Sequence, residues 1–294
     1  MATGAILLLS VLEGLVAAAV LALAAAGLSL VFGVMRVVNI AHGAFFMLGA
    51  VLAAVVAARV AGPAWLAFSL ALVLAPALVA ALAALADVLV LRRVGHAPEA
   101  TIVATIGLLY LIEQAVLSLF GPDARAVAAP FDLRLQLPWF GYSGYKLAII
   151  ALSVATLLAL WWLMARTRLG LVMRATEADA EVARAFGIDI AHVHAAVFAL
   201  GAALAALAGV LVAPIRQAHY LMGADPLLMS FIVVIIGGLG SLRGTLAAAL
   251  MIGLADGIVS MFWAPTLARI IATLVVALVL VLRPQGLFGE ARRA

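Results

Sequence analysis

The chain has 294 residues, of which 68% are hydrophobic and only 10% are charged, with a mean hydropathy of +1.32. Soluble proteins are about 45–50% apolar and about 25% charged, which excludes a water-soluble domain and makes lipid part of the solvent. The net charge of +4 does not indicate nucleic-acid binding, because the basic residues lie between apolar segments, where they determine membrane topology. The absence of cysteine excludes disulfides and thiolate metal sites.

Apolar segments follow one another along the chain and predict an all-α polytopic membrane protein, a bundle of transmembrane or half-spanning helices in a single domain over 1–294. They lie at 8–34, 39–59, 64–91, 100–120, 146–165, 193–214, 226–240, 244–262 and 266–282. Crossing the hydrocarbon takes about 20 residues, so segment 226–240 is short and segment 39–59 is marginal. A short segment is predicted either to enter and return as half a helix or to cross obliquely inside the bundle.

The distribution of basic residues predicts the orientation. With the 92–99 turn, the 166–193 loop and the C-terminus in the cytoplasm, eleven basic residues lie inside and six outside. The N-terminus is then outside and the C-terminus cytoplasmic. The 121–145 connection lies outside, and its prolines and aromatic residues favour a cap near the lipid headgroups over a binding surface for an external partner.

The longest polar stretch, 166–193, is predicted to carry a short helix. Thr176 is the expected N-cap, with Asp179 three residues on as the acid of a capping box. Gly187 is the expected stop, and Ile188 after it supplies the hydrophobic contact that often follows a glycine cap. The predicted helix therefore runs from 176 to 187.

Val182 and Phe186 share one face of this helix at i, i+4 spacing, and charged residues occupy the rest. Such a segment has three possible roles. It lies in the lipid interface as a helix, it docks as a helix into a groove of a soluble partner, or it is a solvated loop without a partner. Anionic headgroups would repel the acidic first turn, so docking is favoured. That acidic turn contains Glu177, Asp179 and Glu181.

Two glycine-containing polar breaks, one in each half of the chain, precede apolar segments and give a weak indication of an internal repeat. Internally duplicated transporters have such breaks near their substrate pathway. His42 would hydrogen-bond a substrate at a helix end, or plug the break by satisfying freed backbone groups. The predicted pathway residues are Asn39, His42, Gly43, Gly237, Gly238, Gly240 and Ser241.

No sequence feature indicates enzymatic chemistry. A phosphate-binding loop needs glycines followed by Lys and Ser or Thr, and the only lysine, Lys146, has no such context. His192 and His194 lie on different helix faces, so no metal site is expected. The chain is therefore driven by ions or served by a separate ATPase. Glu113 and Asp256 are the candidates for ion binding, although neighbouring helices would equally well satisfy them.

Several runs together resemble the branched-chain amino acid ABC transporter permease family, LivH-type subunit. They are residues 27–43, residues 46–50, residues 237–244 and the ending 283–289. The resemblance implies a bundle of about eight helices in a bacterial inner-membrane permease. It implies a second homologous permease subunit, two cytoplasmic ATPase subunits that hold ATP and Mg²⁺, and a periplasmic binding protein as partners, and no cofactor on this chain.

ABC importers carry a cytoplasmic coupling loop with a Glu-Ala-Ala-x-x-x-Gly core, and residues 181–187 match it at three of four fixed positions, with Val182 as the departure. The resemblance thus implies that the helix docks on an ATPase. The predicted coupling residues are Thr176, Glu177, Asp179, Glu181, Val182, Ala183, Phe186 and Gly187. The predicted function is import of branched-chain or related amino acids. The alternatives are an ABC permease for urea or short amides, an ion-coupled secondary carrier and a non-transporting membrane scaffold.

Overall fold

The computed structural model describes residues 2–282 and Gly286. Within them the chain forms eleven α-helices and one β-hairpin. The helices are α1 Ala2–Met35, α2 His42–Arg59, α3 Ala64–Ala86 with a π-helical turn at Asp87–Leu91, α4 Pro98–Phe120, α5 Gly144–Arg166, α6 Arg168–Ala178, α7 Ala180–Ala185, α8 Ile190–Val212, α9 Ala224–Gly237, α10 Leu242–Phe262 and α11 Pro265–Leu282. Strands β1 Arg134–Gln136 and β2 Gly141–Ser143 pair antiparallel between α4 and α5.

Seven helices are long and apolar enough to cross a membrane, namely α1, α2, α3 with its π-helical turn, α4, α5, α8 and α10. Helices α9 and α11 are shorter and also apolar. Each of the nine predicted apolar segments therefore corresponds to a helix, and the prediction of an all-α polytopic membrane protein is confirmed. The predicted ending 283–289 lies outside the described residues except for Gly286, whose backbone lies against Gly238.

Helices α1 and α8 form the centre of the bundle, and small residues allow their backbones to approach their neighbours. Gly27 of α1 faces Gly201 of α8 with no room for a Cβ atom on either. Gly49 of α2 lies in the same way against the α8 backbone, and Gly209 of α8 against the α2 backbone. Lipid provides no hydrophobic force that drives helices together, so close packing of small residues is what stabilises such contacts.

Two helices begin inside the bundle rather than at its surface. After α1 the chain is non-helical as far as α2, whose first residue places its imidazole Nε2 2.8 Å from the carbonyl oxygen of Ala24, which lies inside α1, three turns before its end at Met35. The next residue, Gly43, lies backbone to backbone against Gly223, which precedes α9. The 14 residues of α9 span about 21 Å at about 1.5 Å per residue, less than the hydrocarbon thickness of about 30 Å. The predicted shortness of this segment is confirmed.

The two ends of the bundle differ in structure, and we name them by what they carry. At the loop end lie α6, α7 and the 92–97 turn, where Arg92 donates to the carbonyl oxygen of Ala191 at 3.1 Å. At the hairpin end lies the β-hairpin, which the sequence did not predict. There the Tyr145 hydroxyl donates to the Leu211 carbonyl at 2.7 Å, and Arg125 and Ala218 exchange backbone hydrogen bonds.

Candidate functional site

The polar stretch at the loop end contains two consecutive helices instead of the single helix predicted over 176–187. The Asp179 carboxylate accepts hydrogen bonds from the backbone N–H groups of Glu181 (2.9 Å) and Val182 (3.0 Å), so Asp179 is the N-cap of α7. The prediction that Thr176 is the N-cap was wrong. Thr176 is buried inside α6, where its hydroxyl donates to the Val172 carbonyl at 3.0 Å, and the helix break comes at the extended backbone of Asp179.

The end of α7 has the geometry expected for a glycine stop. Gly187 has a φ of +84°, its N–H donates to the Arg184 carbonyl at 2.9 Å, and the Ile188 N–H donates to the Ala183 carbonyl at 3.1 Å. This pair of bonds satisfies carbonyls that the helix end would otherwise leave unpaired. The predicted stop at Gly187 is confirmed, and α7 is a short helix with both ends capped.

Helix α7 presents an apolar face that no described residue covers. Ala183 is 3% exposed and attaches the helix to the bundle, whereas Val182 is 50% exposed and Phe186 is 84% exposed. Single exposed apolar residues are ordinary, but here Val182 lies on a helix whose ends are fixed, and Phe186, four positions on, is the C-cap residue of that helix. We call Val182 and Phe186 the α7 face.

Contacts next to α7 connect it to the centre of the bundle. Arg36, just after α1, donates to the Glu177 backbone carbonyl at 3.2 Å. The Glu177 carboxylate lies against Gly33 of α1 and against Gly240 of the α9–α10 break. These contacts join α6 to α1 and to the α9–α10 break.

A polar cluster fixes the start of α8 at the same end. The buried Asp87 carboxylate accepts from Arg92 Nε at 3.2 Å and lies 2.8 Å from His96 Nε2. The His96 ring packs edge-on against the His194 ring with centroids 4.7 Å apart. Asp189 caps α8, and its hydrogen bonds from His192, first the imidazole and then the backbone N–H, lower the pKa of the Asp189 carboxyl.

The structure separates the predicted pathway residues into two groups. Asn39, His42 and Gly43 lie in the middle of the bundle, whereas Gly237, Gly238, Gly240 and Ser241 form the α9–α10 break at the loop end. Gly238 and Gly240 have positive φ, and Ser241 caps α10 by accepting from the Gly244 N–H at 3.2 Å. The two breaks precede α2 and α10 as predicted, but they lie at different depths.

The first break contains buried polar atoms that no described residue pairs. Both side-chain polar atoms of Asn39 and Nδ1 of His42 make no hydrogen bond to the part of the chain that the structure describes, while His42 Nε2 faces the Ala24 carbonyl. The Ala24 carbonyl lies within α1 and is not one of the backbone groups of the break, so this contact favours neither the substrate interpretation of His42 nor the plug interpretation. Buried polar atoms are nearly always paired in folded proteins, by other protein groups or by ordered water, so these atoms are available to water or to a ligand.

A cavity of about 760 Å³ opens at the hairpin end between α1, α9, α10, α11 and the 213–223 connection. Ala24 and Phe46 belong to its floor, so the break at His42 lies directly beneath it. Other wall residues near the floor are apolar, among them Val20, Met229 and Ile252. The charged residues of the wall are Glu13, Lys146, Arg216, Asp225, Asp256 and Arg269.

Sequence reasoning identified only one of these charged wall residues as a functional candidate, Asp256. Glu113, the other candidate for ion binding, lies on α4 and does not line the cavity. The remaining five come from five different parts of the chain, and no local pattern connects them. Among residues 2–282, no group of three or more His, Cys, Asp or Glu side chains could hold a metal ion.

The described helices, their apolar surface and the cavity that reaches the middle of the bundle define a polytopic membrane protein with a transport-type architecture. The chain belongs to the family described as the permease component of branched-chain amino acid transport systems, which matches residues 10–282. It is thus a multi-pass membrane transport permease.

Curated relatives cover nearly the whole chain. The high-affinity branched-chain amino acid transport system permease protein BraD of Pseudomonas aeruginosa is 26% identical, over 95% of this chain and 94% of its own length. The corresponding permease protein LivH of Salmonella typhimurium is 26% identical over 92% of this chain and 91% of its own. A probable LivH of Methanocaldococcus jannaschii is 26% identical over 57% of this chain and 54% of its own. No solved structure matches the fold.

Proposed function

We propose that this chain is the transmembrane permease subunit of an ATP-driven importer that moves branched-chain or related amino acids into the cytoplasm. Family membership and the names of the relatives support the substrate class. The observation that carries the proposal is the α7 face, in which Phe186 is 84% exposed on a helix capped at both ends. A preorganised helix with an uncovered apolar face suits docking into a groove of a soluble protein.

The energy source is a pair of cytoplasmic ATPase subunits that dock on α7. The chain has no phosphate-binding loop of its own, so ATP and Mg²⁺ are held by these partners. The coupling residues on and around α7 are Glu177, Asp179, Glu181, Val182, Ala183, Phe186 and Gly187, with Thr176 supporting them from inside α6. The loop end is accordingly cytoplasmic, in agreement with the excess of basic residues there.

Docking changes the pathway through the contacts of Glu177. When the ATPases close, α6 and α7 move, and Glu177 transmits this movement to Gly33 and Gly240. The bundle then shifts between a state open at the hairpin end and a state open at the loop end. Asn39 and His42 lie between the cavity and the loop end, and their unpaired polar atoms acquire water or substrate partners when the pathway opens.

Gly43 and the residues of the α9–α10 break, Gly237, Gly238, Gly240 and Ser241, complete this pathway. Gly43 at the start of α2 contacts Gly223, which precedes α9, and the α9–α10 break contacts the Glu177 carboxylate through Gly240. A second homologous permease subunit forms the other half of the membrane unit, and a periplasmic binding protein delivers substrate at the hairpin end. The complex resides in the bacterial inner membrane.

An ion-coupled secondary carrier is the second candidate function. The observation that favours it is that the Asp256 carboxylate lines the cavity. Such a carrier would bind a proton or sodium ion at Asp256 and would need no partner on α7. Uptake by the chain alone under an imposed ion gradient would favour this second candidate.

The proposal is tested by site-specific crosslinking at α7. The chain has no cysteine, so Phe186→Cys introduces a single thiol. We expect a short thiol crosslinker to join this position to an ATPase subunit, with a yield that changes when ATP binds. Leu119→Cys on α4, equally open at 76% exposed, is the matched control and should give no such product. Absence of an ATPase adduct at Phe186→Cys would contradict the proposal.

A further inference from the structure

The charged wall of the cavity contains two complete ion pairs and two charges left over. Lys146 Nζ lies 2.5 Å from Glu13 Oε1, and Arg269 lies 2.8 Å from Asp225 Oδ2. Arg216 and Asp256 form no salt bridge with any residue that the structure describes.

Arg216 and Asp256 face the same space from different elements. Arg216 lies in the 213–223 connection and Asp256 on α10, less than two turns from its end at Phe262. Both side chains line the wall of the same cavity. Among the residues that the structure describes, the Asp256 carboxylate has one hydrogen-bond contact, a long one from Ser260 Oγ at 3.5 Å. Each charge therefore retains most of its capacity for a ligand.

The sum of the charges on the wall indicates what kind of ligand fits. Three acidic and three basic side chains line the cavity, so they cancel and attract neither a cation nor an anion on balance. A small molecule that carries both charges on one carbon would satisfy Arg216 with its carboxylate and Asp256 with its ammonium group. These are charge-assisted hydrogen bonds, which are stronger than neutral ones.

The lower part of the cavity completes this description. Val20, Phe46, Met229 and Ile252 form an apolar wall above the break at His42. The volume of about 760 Å³ lies within the range of about 300–1,000 Å³ for small-molecule sites, which are likewise mostly apolar with a few polar groups that fix orientation. An aliphatic side chain fits below, and the charged end of the same molecule fits above.

We infer that the cavity is a binding site for a zwitterionic aliphatic α-amino acid, with Arg216 holding the carboxylate, Asp256 holding the ammonium group and the floor around Phe46 receiving the side chain. This inference rests on the proposed function, because it gives the permease a substrate site of its own. A docking surface for the binding protein is the competing interpretation, but it would not need an apolar floor in the middle of the bundle.

The test is equilibrium binding of labelled L-leucine to the full chain in nanodiscs, with the subunits that copurify with it, without nucleotide or binding protein. We expect saturable binding that Asp256→Asn and Arg216→Gln each weaken by about tenfold or more. Competition by 4-methylpentanoate, which lacks the ammonium group, should persist in Asp256→Asn and vanish in Arg216→Gln. Competition by isopentylamine, which lacks the carboxylate, should persist in Arg216→Gln and vanish in Asp256→Asn. Glu113→Gln, the matched carboxylate outside the cavity, should bind like the unmodified chain.

Several results would overturn this site. They are the absence of saturable L-leucine binding, unchanged affinity in both charge variants, equal loss of all three ligands, or an equal effect of Glu113→Gln. So would variants that bind L-leucine normally but no longer recruit the binding protein. Since the measurement uses no ATP, binding that follows the two charges while ATP fails to drive uptake would retain the site and reject the proposed function. ATP-driven uptake that is unchanged in both Arg216→Gln and Asp256→Asn would retain the proposed function and reject the site.

Discussion

Phe186→Ala tests whether the α7 face is the contact with the ATPase. Full burial of a phenylalanine side chain contributes about 1.5–3 kcal/mol. Phe186 is 84% exposed in the isolated chain, so docking would bury nearly all of it, and truncation would weaken the complex by about 2 kcal/mol, or about 30-fold in affinity. The fold should be unaffected, because the removed atoms contact little of the bundle.

The assay for Phe186→Ala is titration of the purified ATPase onto the chain in nanodiscs, followed by ATP-driven uptake in proteoliposomes. We expect weaker binding, lower uptake and an unchanged melting temperature. Leu119→Ala removes an equally exposed side chain, 76% exposed, far from α7 and should change neither quantity. Full ATPase affinity and full uptake in Phe186→Ala would show that the α7 face does not contact the ATPase.

Three further predictions concern the helices that support the site. Gly187→Val introduces a β-branched residue at a φ of +84°, which costs about 1–2 kcal/mol. It should lower ATP-driven uptake while L-leucine binding persists, and unaltered uptake would count against a role for the α7 stop. Gly43→Val forces apart the touching backbones of Gly43 and Gly223 and should lower the melting temperature strongly. The control is Gly107→Val, where an added Cβ would meet no atom within 4 Å, and it should leave the melting temperature unchanged. Equal melting temperatures for the two variants would contradict close backbone packing at Gly43. Asp87→Asn removes a buried charge from its two partners and should destabilise the fold by about 3 kcal/mol, measured as a lower melting temperature, and an unchanged value would mean that the cluster is dispensable.

The membrane helices could be predicted from the sequence because hydropathy is a property of the chain itself. Segment 226–240 was recognised as short, and α9 has 14 residues. The stop at Gly187 was predictable for a similar reason, since few residues other than glycine adopt a positive φ without strain. These signals are local, and tertiary contacts do not change them.

The start of α7 and the cavity could not be predicted in this way. Thr176 and Asp179 are both good N-caps, and the choice between them depends on the burial of Thr176 against the bundle. Arg216 and Asp256 are 40 positions apart in the chain (256 − 216), and they line one cavity because the 213–223 connection and α10 both border it. A single sequence carries no signal for this arrangement.

In the proposed importer the permease has no energy source of its own and is driven through α7. The most direct measurement is accumulation of labelled L-leucine in proteoliposomes, with and without the ATPase subunits and ATP. We predict accumulation only when both are present and a sharp loss when Phe186→Ala replaces the unmodified chain. Accumulation by the chain alone under a proton or sodium gradient would contradict the claim.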